Sequence, residues 1–83
     1  MAYVYMLRCA DGSLYTGWTT DPQHRLRMHN AGTGAKYTKP RRPVELAYCE
    51  EREDKSSALK REAEIKKLTR AEKLALIEAH NAD

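Results

Sequence analysis

Two short tyrosine-centred segments, joined by a turn, constrain the fold of this chain more than any other feature. Residues 3–8 are rich in aromatic and aliphatic side chains, a composition typical of a β-strand. Residues 10–13 read Ala-Asp-Gly-Ser, a turn sequence in which Gly12 can adopt a positive φ. The chain then returns as a second strand over residues 14–17. The N-terminal sequence therefore predicts a β-hairpin.

Helix start and stop signals follow the hairpin. Thr20 or Asp21 can cap a helix, and Pro22 fits its first turn, where a missing N–H costs little. This helix should run to about Asn30 and end at Gly32. Residues 32–43 are predicted to form a loop, because they hold two glycines, two prolines and four basic residues.

The second half of the chain predicts one more strand and two more helices. Apolar and polar residues alternate over residues 44–48, the period of a half-buried strand. A helix is expected from about residue 56 to 68, and Thr69 with Glu72 has the spacing of a capping box that starts another. Leu74 and Ile77 give this last helix an apolar edge. The element order predicts one α+β domain over residues 1–83, with a small three-stranded, mainly antiparallel sheet flanked by three helices.

Charge and cysteine content restrict the function classes only mildly. The net charge is +3, and four basic residues crowd the loop while four more crowd the second helix. Such clusters suit a polyanion, although a solvated basic face is the commoner meaning. Cys9 and Cys49 lie far apart without metal-ligand spacing, which predicts reduced thiols in a cytoplasmic protein. No apolar segment approaches the length of a membrane span, so no membrane partner is expected.

One acidic residue falls on the apolar side of the second predicted helix. Glu62 lies in the same arc of the helix as Ala58, Leu59 and Ile65. A carboxylate that faces a core needs a partner charge or a metal. Two interpretations stay open: a structural ion pair with an arginine such as Arg25, or a ligand for Mg²⁺ or Mn²⁺.

Four further polar or aromatic residues are candidates for a site. Tyr5 and Tyr15 stand on neighbouring strands and can meet if the register allows it. Arg25 and His29 are four residues apart and share a helix face. Each pair also has an ordinary explanation, packing for the tyrosines and solvent for the helix residues. They form a site only if that helix face turns towards the tyrosines and Glu62.

Together these segments resemble the GIY-YIG nuclease family, and in particular its small stand-alone bacterial members, the YhbQ-like group. The first family motif corresponds to Tyr-Val-Tyr at residues 3–5 and the second to Tyr-Thr-Gly at residues 15–17. The stretches at residues 25–30, 34–38 and 58–67 are similar to that group as well. Each motif alone is weak, but their order and spacing over nearly the whole chain are specific.

The resemblance implies a metal-dependent DNA endonuclease in which Glu62 holds one divalent ion, Mg²⁺ or Mn²⁺. It implies that Tyr5 or Tyr15 helps to activate water, that Arg25 steadies the transition state, and that His29 assists proton transfer. A tyrosine of ordinary pKa, about 10, is a poor base, so a cation is expected to lower that pKa. Phosphate contacts are expected from the loop residues Lys36, Lys39, Arg41 and Arg42.

The chain departs from the family pattern at three places. Tyr3 replaces the glycine of the first motif, and Thr16 replaces the isoleucine of the second. Larger members carry a late asparagine that supports the site, whereas the only late asparagine of this chain is Asn81, in its C-terminal tail. Two alternatives therefore stay open, a non-catalytic nucleic-acid-binding module on the same fold and a protein-interaction domain with a solvated basic face. The choice of target, such as branched or damaged DNA in repair, would fall to this domain or to a partner protein.

Overall fold

The computed structural model describes residues 1–82; Asp83, the last residue of the predicted domain, lies outside the described residues. Three strands form one sheet: β1 (Ala2–Arg8), β2 (Leu14–Thr19) and β3 (Glu45–Arg52). Three helices accompany it: α1 (Pro22–Ala31), α2 (Lys55–Lys66) and α3 (Arg70–His80). The predicted α+β class, sheet and helix order are confirmed. None of the helices in this part of the chain is long and apolar enough to cross a membrane.

The first strand is the centre of the sheet. The strand order is β2-β1-β3, and both neighbours pair with β1 antiparallel. In the hairpin, Tyr5 lies opposite Gly17 and Leu7 lies opposite Tyr15. Since successive side chains point to opposite faces of a sheet, Tyr5, Leu7, Tyr15 and Gly17 all belong to one face.

The two faces of the sheet are covered by different helices. Val4 and Met6 pack with Ala58 and Ile65 of α2, on the face that also receives Ile77 of α3. The opposite face carries Tyr5, Leu7, Cys9 and Val44, and Leu26 of α1 packs against this cluster. The backbones of α1 and α2 therefore lie on opposite sides of the sheet.

The predicted helix ends are confirmed to within two residues. Asp21 caps α1 by accepting a hydrogen bond from the His24 N–H at 3.1 Å, and Gly32 ends it with a φ of 86°. Thr69 and Glu72 form the capping box of α3.

Two other elements differ from the prediction. The third strand is longer, because it continues to pair with β1 as far as Arg52, and a single 3₁₀ turn, Lys39–Arg41, interrupts the predicted loop.

The predicted apolar arc of α2 was too wide. Leu59 remains 40% exposed, whereas Ala58 and Ile65 are fully buried. Only a narrow stripe of α2 contacts the sheet, and Leu59 lies at its solvent-facing flank. The buried part of α3 is likewise smaller than predicted, since Ile77 is buried but Leu74 is 36% exposed.

Candidate active site

The β-hairpin places the Tyr5 hydroxyl directly above a glycine. A Cβ atom on Gly17 would lie 2.6 Å from the Tyr5 oxygen, closer than two such atoms can approach. Glycine at this position therefore lets the phenol ring lie flat across β2. The Tyr15 ring is 6.5 Å from the Tyr5 ring, centre to centre, because the register brings both to one face.

His29 connects the hairpin to helix α1 and to the loop that follows it. Its imidazole is fully buried, with Nε2 2.9 Å from the Tyr5 hydroxyl and Nδ1 2.9 Å from Thr38 Oγ1. The Tyr15 ring lies 5.2 Å from the imidazole, centre to centre. A buried imidazole with both nitrogens engaged has a fixed orientation.

Arg25 lies one helical turn before His29, and its guanidinium is a neighbour of both Tyr5 and His29. Its Nη2 donates to the Gly34 carbonyl at 3.0 Å. Its Nε is buried and has no hydrogen-bond partner among residues 1–82. Buried donors are rarely left unsatisfied, so an unpaired guanidinium N–H beside Tyr5 is suited to an anion that arrives with a ligand.

The electrostatic environment opposes charge on both members of the tyrosine–histidine pair. Burial raises the pKa of Tyr5 above its ordinary value, and this outweighs the opposite effect of the neighbouring Arg25 guanidinium. Burial, with Arg25 second, lowers the pKa of His29 below its ordinary value of 6.5. Arg25 does lower the pKa of Tyr5, as expected of a neighbouring cation, but in the free protein desolvation by burial is the larger effect and the net shift is upward. The pair rests as a neutral phenol beside a neutral imidazole.

The condition set for the site is met only in part: helix α1 turns Arg25 and His29 towards the two tyrosines, but Glu62 stands on α2, which packs on the other side of the sheet. Viewed down the axis of α2, Glu62 projects on nearly the same side of the helix as Lys55, whose ammonium group lies over the Trp18 ring of β2. Arg61 projects in a different direction and bonds Glu50 of β3. The Glu62 carboxylate thus lies towards the β2 edge. After burial, its negative charge is one of the smaller causes of the raised pKa of Tyr5, so it acts within electrostatic range of the Tyr5 hydroxyl.

The charge partner of Glu62 is not the arginine that the sequence suggested. The described residues show no ion pair between Glu62 and Arg25; the carboxylate instead lies 3.6 Å from Lys66 Nζ, one turn further along α2. The Glu62 side chain is 16% exposed and that of Lys66 is 55% exposed. A half-buried carboxylate with one long, solvent-screened contact retains free lone pairs.

The free lone pairs of Glu62 suit an ion such as Mg²⁺, which needs few protein ligands, better than an ion that needs several protein ligands. Within residues 1–82 there is no group of three His, Cys, Asp or Glu side chains that could hold a metal. Magnesium commonly binds proteins through one or two carboxylates and keeps several waters and substrate phosphates as its other ligands. Glu62 therefore fits a hard ion that arrives with nucleic acid, and does not fit zinc.

The basic loop borders the site through its aromatic residue. The Tyr37 ring stacks on Tyr15 with centroids 5.9 Å apart, and the Arg41 guanidinium lies 4.0 Å from the Tyr37 centroid. Arg41 also bonds Asp11 Oδ2 at 3.1 Å and the Tyr37 carbonyl at 2.7 Å. Arg42 donates to the Lys39 carbonyl at 2.7 Å. The two arginines thus brace the loop, whereas Lys36 and Lys39 are exposed.

Sequence reasoning missed two residues at this site, Thr38 and Gly34. Thr38 is fully buried against His29, and a Cβ atom on Gly34 would lie 2.5 Å from His29 Nδ1. Both lie in a loop without periodicity, so only the tertiary fold reveals their contacts. Asn81, by contrast, is an exposed residue at the end of α3.

Comparison with known proteins agrees with this fold. Residues 1–75 match the GIY-YIG catalytic domain. A UPF0213 protein of Syntrophus aciditrophicus is 59% identical over 76 residues, covering 90% of this chain and 87% of that protein. A UPF0213 protein of Staphylococcus aureus is 60% identical over 75 residues, covering 90% and 92% respectively.

Two solution NMR structures are also similar. The UPF0213 protein BH0048 of Bacillus halodurans has a TM-score of 0.61 and 44% identity, covering 95% of this chain and 85% of that one. The protein EF2693 of E. faecalis has a TM-score of 0.61 and 49% identity, covering 94% and 84%. The domain match spans most of the chain, and the relatives are similar along almost their whole length. The chain therefore belongs to the GIY-YIG family of nucleases, whose substrates are nucleic acids.

Proposed function

We propose that this protein is a metal-dependent DNA endonuclease. The observation that carries the proposal is the buried contact between the Tyr5 hydroxyl and His29 Nε2 at 2.9 Å, next to the unpaired Nε of Arg25. A proton acceptor and an anion-binding donor at one place are what hydrolysis of a phosphodiester requires.

Tyr5 and His29 provide a route for the proton of the attacking water. The raised pKa of Tyr5 makes a free phenolate unfavourable, so the hydroxyl gains the proton of water as it passes its own proton to His29 Nε2. A bond forms between the water oxygen and phosphorus, and the bond from phosphorus to the leaving sugar oxygen breaks. The leaving oxygen takes a proton from solvent, and His29 returns its proton along the same path afterwards.

Arg25 supports this transfer through the phosphate that it binds. Its guanidinium fork can donate to the non-bridging oxygens while Nη2 keeps its bond to Gly34. The phosphate charge offsets that of Arg25, which removes one of the two effects that lower the pKa of His29. Substrate binding therefore makes His29 a better proton acceptor.

Glu62 is the residue that would hold the metal. A divalent ion bound there would stabilise negative charge on the phosphate and on the leaving oxygen. The half-buried carboxylate, with free lone pairs at the β2 edge, is the feature of this chain that supports the assignment. A role in repair, a preference for branched or damaged DNA and a targeting partner stay predictions.

Cleavage by the purified protein tests the proposal. Plasmid and branched DNA should be nicked with Mg²⁺ or Mn²⁺ and left intact in EDTA. Tyr5→Phe should lower the rate by about 10²- to 10⁴-fold, the usual contribution of an acid–base group. Tyr3→Phe is the matched control, because Tyr3 is a half-buried tyrosine on the same strand and face. Salt-sensitive DNA binding without any nicking would refute the endonuclease and favour a non-catalytic binding module.

A further inference from the structure

Thr38 is fully buried although its neighbours in the loop are exposed. Its hydroxyl oxygen lies 2.9 Å from His29 Nδ1 and donates to the Ala35 carbonyl at 3.1 Å. A hydroxyl carries one proton only. When that proton is bonded to Ala35, the contact with Nδ1 must be one in which the imidazole donates.

This count of protons fixes the tautomer of His29. With Nδ1–H donating to Thr38, the neutral imidazole has a bare lone pair on Nε2. The Tyr5 hydroxyl then donates to Nε2, and each of the three hydrogen bonds that link Tyr5, His29, Thr38 and Ala35 has one donor and one acceptor. In the other tautomer the Thr38 proton would have to turn to Nδ1, and its bond to Ala35 would break.

We propose that Thr38 is a positioning residue that holds His29 in the Nδ1–H tautomer, so that Nε2 is free to take the proton of Tyr5. The catalytic part of this inference rests on the proposed function. In this role Thr38 acts only through His29, whose Nδ1 it contacts. After the transfer, the imidazolium still donates Nδ1–H to Thr38, so this bond persists through the reaction and strengthens as the ring gains charge.

Contacts made by neighbouring loop residues keep Thr38 in its buried position. Only a glycine at position 34 allows the backbone to pass so close to Nδ1. The Thr38 carbonyl accepts a hydrogen bond from the Arg41 N–H at 2.9 Å, and the Arg41 side chain ties the loop to Asp11 in the hairpin turn. The Tyr37 ring, stacked on Tyr15, fixes the adjacent residue. Residues before and after Thr38 in the sequence thus fix its position.

Long-range ¹H–¹⁵N spectra of the histidine rings test the tautomer directly. The wild-type protein should show His29 with a protonated Nδ1 and a bare Nε2. Thr38→Ser keeps the hydroxyl and should keep this pattern, whereas Thr38→Val should shift the population towards Nε2–H. Thr16→Val is the matched control: Thr16 is also buried, but its hydroxyl has no hydrogen-bond partner among the described residues. This change should leave the His29 spectrum as it is.

Single-turnover cleavage, measured where each variant is folded, tests the functional part. Thr38→Val should lower the rate by about 10- to 100-fold, the usual effect of removing a group that orients a functional histidine. Thr38→Ser should restore most of it, and Thr16→Val should match the wild type. An unchanged Nδ1–H tautomer in Thr38→Val, or a serine variant as slow as the valine variant, would overturn the proposal. A wild-type protein that cleaves no DNA would refute the proposed function, while the spectrum of Thr38→Val would still decide whether Thr38 sets the tautomer.

Discussion

The substitution Glu62→Gln separates a role in catalysis from a role in stability. It keeps the shape of the side chain and removes its charge. The ion pair that it breaks is the one with Lys66, which is 3.6 Å long, and Lys66 is half exposed. Exposed helix pairs of this spacing contribute about 0.3–0.5 kcal/mol. For a domain of this size, that loss lowers the melting temperature by roughly 2–4 °C at most.

The expected result is a protein that folds and binds DNA but no longer cleaves it. Melting should be followed in metal-free buffer, binding in EDTA, and cleavage in Mg²⁺. Glu64→Gln is the matched control, since Glu64 lies on the same helix, pairs with Arg61 at 3.2 Å and is 65% exposed. The control should lose a similar small amount of stability and retain cleavage.

Two results would refute this reasoning. Full cleavage by Glu62→Gln would show that the carboxylate holds no metal needed for the reaction. A fall in melting temperature well above 8 °C would show that the charge is a buried structural partner, because breaking such a pair typically costs about 3–5 kcal/mol.

Three further predictions concern the loop, Arg25 and His29. Lys36→Gln with Lys39→Gln should weaken DNA binding across sequences and reduce the salt slope by about 0.9 for each phosphate that the loop no longer neutralises, without changing the melting temperature; an unchanged slope would mean that these lysines are only solvated. Arg25→Lys should bind DNA but cleave it about 10²- to 10³-fold more slowly, since lysine lacks the planar fork, and single-turnover rates near wild type would count against a role at the phosphate. His29 is buried among Tyr5, Tyr15 and Arg25 with a lowered pKa, so below its ordinary value of 6.5 the unfolded chain binds a proton that the native protein does not. The free energy of unfolding should fall with pH below 6.5, by up to about 1.4 kcal/mol per pH unit, and denaturant titrations should show a shallower dependence in His29→Gln.

Local patterns predicted the fold well because each element carries its own signals. The helix caps at Asp21 and Thr69 and the alternation after Val44 depend on residues close in sequence. The arc of α2 was predicted less well, because the width of the buried stripe depends on how the helix lies on the sheet. Leu59 shows this, since it falls in the predicted arc and remains exposed.

The candidate site was predicted only as a set of residue types. The antiparallel register that brings Tyr5 and Tyr15 together was a condition that the sequence could not fix. The partner of Glu62 was uncertain for the same reason, since charge alone does not tell Arg25 from Lys66. Thr38 belongs to the 34–38 stretch that resembles the family, but nothing local in the sequence indicated its contact, because the loop folds back onto a histidine nine residues earlier.

The most direct test of the account is a double-mutant cycle on Tyr5 and His29. Single-turnover cleavage with saturating Mg²⁺ would be measured for Tyr5→Phe, His29→Gln and the double variant, at a temperature where all three are folded. If the two side chains pass one proton between them, the double variant should be no slower than the slower single variant, because groups that act as a unit give non-additive effects. Losses that multiply in the double variant would show that Tyr5 and His29 act independently, and would contradict the proton route proposed for this site.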